Sequence, residues 1–144
     1  MPALLTPEAL DILAGRQVGV LSTLSHGAPT LACVWYGVHE GAIVVSTPSG
    51  RRKERNIQAD TRVAFLVDER GLEHTPGGLG YRGVEIHGAA STHPDPGGLI
   101  RQLIVARYLE PGAPGYEARI TAPERTIIRI VPERVRTWDY TAGR

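Results

Sequence analysis

Residues 18–68 read VGVLSTLSHGAPTLACVWYGVHEGAIVVSTPSGRRKERNIQADTRVAFLVD, and the way β-formers alternate with turn residues along them decides the fold. Val18 to Leu24 is rich in β-formers and runs into a turn at Ser25-His26-Gly27-Ala28. Thr30 to Val38 (TLACVWYGV) reads as a second strand, and His39-Glu40-Gly41 turns it into a third, Ala42 to Thr47. Connections this short predict an antiparallel meander, because a parallel pair needs a crossover of a dozen or more residues. Residues 48–60 (PSGRRKERNIQAD) predict a helix capped by Ser49, and Arg62 to Val67 is a fourth strand.

On the N-terminal side, Thr6, Pro7 and Glu8 form a helix-start signal, Leu10, Ile12 and Leu13 give an apolar side, and Gly15 is a stop. On the C-terminal side, Asp68 to Gly80 reads as a flexible loop and Tyr81 to Ala90 as strand five. Leu99 to Leu109 has helical spacing, and Pro111 to Pro123 is a second loop. Thr126 to Trp138 is a sixth strand, interrupted at Pro132. Six strands and about three helices without βαβ alternation predict a mainly β, α+β fold: an antiparallel barrel with accessory helices.

The 144 residues suit one domain spanning 1–144. Hydrophobic residues at 42% and charged residues at 22% are near globular averages, which excludes extensive disorder. Sixteen basic against fifteen acidic residues leave +1. Such balance argues against a dedicated nucleic-acid binder, which needs a strongly one-signed surface. Cys33 is the only cysteine, so no intramolecular disulfide forms. The opening MPALLTPEAL has no basic n-region, and no run approaches 18 apolar residues. A cytoplasmic domain without a membrane span is expected.

Chemistry concentrates in Ser49-Gly50-Arg51-Arg52-Lys53-Glu54-Arg55, directly after a strand and opening a helix. Lys53 is the sole lysine in a chain whose other fifteen cations are arginines. A helix start favours anions, arginine forks match phosphate oxygens, and lysine adds a compact charge. The same pattern also suits a solvated helix face. His26, His39, His74, His87 and His93 show no metal-ligand spacing. No nucleophile motif occurs, and Cys33, between Ala32 and Val34, reads as a buried inert thiol. His87 reads as a half-buried structural residue. Trp35 and Tyr36 are adjacent on one strand, so one points to the core and the other is free to line a pocket. Trp138 and Tyr140 dock either on the barrel or on a partner subunit.

The succession VGVLSTLSHGAPTLACVWYGV, AIVVST, SGRRKERNIQADTRVAFLVD, YRGVEIHGAA and ERTIIRIVPERV resembles the split-barrel flavin and deazaflavin oxidoreductases related to pyridoxamine 5′-phosphate oxidase. The likeness runs from about Gly15 to Trp138, and GRRKERN followed by DTRVAFLVD is similar to the branch that uses the deazaflavin coenzyme F420. It implies a homodimer of six-stranded split barrels with cofactor sites at the subunit interface. By position, Lys53 with Arg51 and Arg52 would hold the cofactor phosphate. Ser46 and Thr47 would contact its ring or tail, and Val34 and Trp35 would face the ring, largely through backbone. Asn56 would support the loop, while Tyr81 and Arg82 would approach from strand five. The implied activity is hydride transfer from reduced F420 to an electron-poor, conjugated or quinone-like small molecule, with no catalytic residue marked out. FMN is the alternative cofactor, and a non-catalytic flavin-, deazaflavin- or tetrapyrrole-binding protein the alternative role. The chain departs from pyridoxamine phosphate oxidases proper in lacking their arginine-rich C-terminal substrate motif, so vitamin B6 oxidation is not expected. Acceptor specificity would reside in Asp68–Gly80 and Pro111–Pro123, since loops carry such variation.

Overall fold

The computed structural model describes residues 2–69, 82–121 and 125–140. Its first element, α1 (Pro7–Leu13), is capped by Thr6, whose hydroxyl accepts from the Ala9 N–H at 3.1 Å. Ala9, Ile12 and Leu13 share its buried face. Two hairpins follow: β1 (Gly19–Ser25) with β2 (Ala28–Val34), and β3 (Gly37–His39) with β4 (Ala42–Pro48). Both turns place two residues at positive φ, His26-Gly27 and Glu40-Gly41, which matches the twist of tight hairpins.

After them come α2 (Arg52–Ala59), β5 (Arg62–Asp68), β6 (Arg82–His93), α3 (Leu99–Tyr108), α4 (Tyr116–Thr121) and β7 (Arg125–Asp139). The strands form one antiparallel sheet in the order β2-β1-β5-β6-β7-β4-β3. The expected count of six strands is corrected to seven among the described residues, and the expected meander is broken. The stretch from Thr30 to Val38 divides at Trp35-Tyr36, because both aromatic residues are anchored outside the ladder. The Tyr36 phenol is fully buried and donates to the Leu13 carbonyl at 2.8 Å, and burial raises its pKa. Its backbone N–H donates to the Tyr108 hydroxyl at 3.3 Å. Trp35 stacks on Tyr108, with ring centroids 4.7 Å apart and planes 11° from parallel.

This division shapes the whole molecule. β2 and β3 lie at opposite ends of the strand order, yet only Trp35 and Tyr36 separate them in sequence. Two residues hold the Cα atoms of Val34 and Gly37 within about 11 Å of each other. The sheet therefore curls until its edges face each other across an unpaired seam, which is a barrel split along one line. Inside it pack Tyr36, Phe65, Leu21, Ile43, Ile86, Ile128 and Ile130, all essentially inaccessible to water. Tyr36 meets Phe65 edge to face at 5.2 Å.

The last strand is continuous through Pro132, where an interruption was expected. A β-bulge absorbs the proline: Gly88 pairs Pro132 while His87 pairs Arg134, leaving Glu133 as the extra residue. A Cβ on Gly88 would stand 2.1 Å from the Val131 carbonyl oxygen, so this close crossing requires glycine. The helix α4 lies within Pro111–Pro123, where a loop was expected. Residues 70–81, which include most of the other expected loop, lie outside the described residues. No described helix is long and apolar enough to cross a membrane.

Candidate functional site

β4 is buried on both faces, and this positions the site. Ile43 and Val45 face the barrel interior, whereas Val44 packs with Ile127 beneath Ile104 of α3 in a smaller apolar cluster that Trp35 and Tyr108 join. α3 begins at a firm cap, since the Asp95 carboxylate accepts from the N–H groups of Ile100 (3.0 Å) and Arg101 (2.9 Å). It is tied down at its end as well. The Tyr108 hydroxyl donates to the Gln17 carbonyl at 3.1 Å, and the Arg107 guanidinium donates to Leu13 and Gly15 carbonyls at 3.0 and 2.7 Å.

Between this clamped helix, the ends of β2 and β4, and the first turn of α2 lies a cleft of about 300 Å³. β2 contributes Cys33, Val34 and the adjoining Trp35, while β4 contributes Ser46, Thr47 and Pro48. Lys53 comes from α2, Arg101, Ile104 and Val105 from α3, Arg119 from α4, and Arg125 from the start of β7. Four cations and no carboxylate are among these lining residues. Burial, with Arg51 and Arg125 nearby, holds the Lys53 ammonium below its ordinary pKa. Burial likewise lowers Arg125, with Arg101, Arg119 and Arg51 adding to the effect. Arg125 is nonetheless fixed in place: its Nε donates to Ser46 Oγ at 3.0 Å and an Nη to the Ser46 carbonyl at 2.9 Å. Lys53 and Arg125, partly desolvated and repelling each other with no carboxylate among the described lining residues, make a site that an anion completes.

The structure brings Val34, Trp35, Ser46, Thr47 and Lys53 together around this cleft. Arg51 is exposed beside it and close enough to act on Lys53 and Arg125. Arg52, with Arg51 and Lys53, lines an adjoining groove against Thr30, Leu31 and Ala32. Two candidates, Asn56 and Arg82, lie elsewhere. Asn56 is buried behind α2, where its amide donates to the hydroxyls of Thr23 (3.0 Å) and Thr30 (3.3 Å) and ties the helix to the first hairpin. Arg82 is engaged by two carboxylates, Glu69 at 2.7 Å and Asp11 at 2.8 Å. Tyr81 lies outside the described residues.

Other expectations are corrected. Ser49 does not cap α2: its hydroxyl bonds Thr126 at 3.0 Å, Arg51 occupies the cap position, and Glu54 accepts from the Gly50 N–H at 3.2 Å. Cys33 is exposed in the cleft, not buried, because β2 is an edge strand with no layer over its outer face. The aromatic pair divides as its alternation predicts, with Tyr36 in the core and Trp35 on the cleft wall. Trp138 lies half-buried on the outer face of its own sheet, its indole over Gly83 and under the Arg136 guanidinium. His87 is half-buried and bonded to Glu85 at 2.9 Å, which keeps the Glu85 carboxyl below its ordinary pKa.

Sequence reading did not single out Arg101, Arg119 or Arg125. Arg101 and Arg119 reach the cleft from helices far along the chain. Arg125 arrives through the β4–β7 register, which sets it opposite Pro48. No local pattern announces any of the three.

Among solved structures the chain is similar to a conserved hypothetical protein of Mycobacterium tuberculosis, at 26% identity and TM-score 0.77, over 96% of this chain and 87% of that one. It is also similar to an F420 reductase, at 25% identity and TM-score 0.63, over 88% and 94% of the two chains. An FAD-binding protein from Mesorhizobium loti shares the fold at 22% identity and TM-score 0.66, with coverages of 90% and 89%. No curated protein sequence matches. The family model described as pyridoxamine 5′-phosphate oxidase runs from residue 5 to residue 139, through both hairpins, the cleft and the bulged final strand. This chain belongs to the pyridoxamine 5′-phosphate oxidase family.

Proposed function

We propose that the cleft binds a phosphate-bearing flavin-type cofactor, that this cofactor is coenzyme F420, and that the protein is a reductase of electron-poor small molecules. The observation that carries this reading is the partly desolvated pair Lys53 and Arg125 with the exposed Arg51 beside them, and no carboxylate among the described residues lining the cleft. A phosphate there would accept from Lys53 Nζ and from the Arg125 N–H groups not used by Ser46. F420 is favoured over FMN by the 25% identity to an F420 reductase along most of both chains, together with the GRRKERN sequence. FMN presents the same phosphate chemistry and is the second reading.

When bound, such a cofactor supplies a hydride to an acceptor, which takes its remaining proton from water. The chain's own contribution is binding and placement. Val34 and Trp35 stand where strand pairing stops, on the outer edge of β2. Backbone groups at such an edge have no strand partner and are available to the polar rim of a tricyclic ring. Trp35, held between Tyr108 and the Arg119 guanidinium, gives this part of the wall a fixed edge. No histidine, aspartate or glutamate is among the described residues that line the cleft.

The cleft is at the small end of ligand sites, which span about 300–1,000 Å³. A second copy of the chain would complete it. The β2 face carrying Pro29, Leu31 and Cys33 is exposed, Leu31 by 74%, and it adjoins the cleft. Sedimentation should therefore give a dimer.

The deciding experiment is a fluorescence titration of the apo-protein with coenzyme F420 and with FMN. Tighter binding of F420 supports the proposal. Tighter binding of FMN moves the protein to the flavin reading with the same phosphate site, and binding of neither refutes both.

A further inference from the structure

Only Ser49-Gly50-Arg51 join the end of β4 to the start of α2, and they determine where the first turn of that helix points. Beyond that turn the helix is anchored by Asn56 and Ile57, which are buried against the barrel. Gly50 has a φ of +85°, and a Cβ there would meet nothing within 4 Å. Crowding therefore does not impose the left-handed turn. A glycine left to itself takes either sign of φ about equally. Other contacts must fix the sign, because Arg51 and Lys53 follow directly.

Two side chains of the same basic run supply those contacts. Glu54 Oε1 accepts from the Gly50 N–H at 3.2 Å, and Arg55 Nη1 donates to the Gly50 carbonyl at 2.6 Å. Ser49 is pinned beside them, its hydroxyl bonded to that of Thr126 on β7 at 3.0 Å. The second Glu54 oxygen is shielded from water and has no hydrogen-bond partner among the described residues. The carboxylate is thus directed onto the turn and not out into solvent. It is also next in sequence to Lys53, where its charge opposes the binding of an anion. A carboxylate in that place serves an anion site only through what it holds.

We propose that Glu54 and Arg55 are positioning residues that clasp Gly50 and so hold Arg51 and Lys53 in a preformed arrangement for the cofactor phosphate. The inference rests on the phosphate reading of the cleft given above. Neither residue is among those lining the cleft, and both act through the backbone they fix. Fixing the backbone of one residue before the ligand arrives removes an ordering cost from binding. Loss of the clasp should weaken the complex about five- to tenfold.

The test is a fluorescence titration of the wild-type protein, Glu54→Gln, Glu54→Ala and Gly50→Ala with F420 and with FMN, beside a thermal melt of each. Glu54→Gln still offers an oxygen to the Gly50 N–H and should bind within about threefold of wild type. Glu54→Ala should bind about five- to tenfold more weakly, although it removes a negative charge from beside the phosphate. Electrostatics alone predicts the reverse, so the direction of the change separates a clasp from a bystander. Gly50→Ala adds a Cβ in open space and disfavours the positive φ without changing any charge. It should show a similar loss, and it carries the test if Glu54→Ala does not fold. Three results overturn the inference: Glu54→Ala binding as tightly as wild type or more tightly, equal weakening in Glu54→Gln and Glu54→Ala, or Gly50→Ala staying within about twofold of wild type. Failure of the wild-type protein to bind either cofactor would overturn the phosphate reading as well, and is seen before any variant is titrated.

Discussion

Replacing Lys53 with methionine should weaken the cofactor complex while sparing the empty protein. A charge-assisted contact from an ammonium to a phosphate oxygen contributes about 1.5–3 kcal/mol, which is roughly ten- to 150-fold in Kd. Arg125 stays in place on Ser46, and losing Lys53 relieves repulsion on it, so the loss belongs in the lower part of that range. We expect about ten- to thirtyfold. Stability of the apo-protein should move the other way. Burial, Arg51 and Arg125 depress the Lys53 pKa, so the folded protein gives up this proton before the unfolded chain does. Wild-type stability therefore rises with pH between the lowered pKa and 10.5, a rise that Lys53→Met should lack. Thermal melting across that window, with and without FMN or F420, reads both effects. An unchanged Kd, together with a melting temperature lowered by more than about 4 °C, or roughly 1–2 kcal/mol, would refute the reasoning, since Lys53 would then be structural.

Three further outcomes follow from the geometry. Gly88→Ala drives a Cβ against the Val131 carbonyl and should cost about 3 kcal/mol or more, lowering the melting temperature by roughly 6–12 °C. Asn56→Ala removes two buried hydrogen bonds between α2 and the first hairpin and should cost about 1–3 kcal/mol in denaturant unfolding. Its cofactor affinity should stay within about twofold, because Asn56 does not line the cleft. Asp60, held down to about 2 by hydrogen bonds from the Arg62 side chain and backbone N–H, should return toward about 3.9 in Arg62→Ala when followed by NMR. The stability this depression provides is present above pH ~4 and is lost as pH falls toward the lowered value.

Local chemistry was legible at the tight turns and at Lys53, whereas the local cap expected at Ser49 did not form. Gly27 and Gly41 mark turns because glycine accepts positive φ without steric cost. Lys53 stands out as one lysine among arginines, and it lies in the cleft. Partner choice was not legible. Thr30 to Val38 is β-rich throughout, and nothing in its alternation tells that the first half pairs with β1 and the second with β4. Cys33 has apolar neighbours, which say nothing about whether a layer covers that face. Arg101, Arg119 and Arg125 reach the cleft through helix placement and strand register, which are properties of the assembled barrel.

The two-residue link at Trp35-Tyr36 also sets an order on how the chain can acquire its structure. The first four strands can form as two local hairpins hinged at that link, while the inner edges of β1 and β4 await β5, β6 and β7. That slot is filled only when β7 arrives, at Arg125–Asp139. During synthesis, a ribosome that has released residues up to about 120 presents a half-made barrel with two bare strand edges and an open apolar interior. Nascent chains with such edges invite pairing with one another. Slow translation just ahead of β7 should therefore lower the yield of folded protein more than the same delay placed after it.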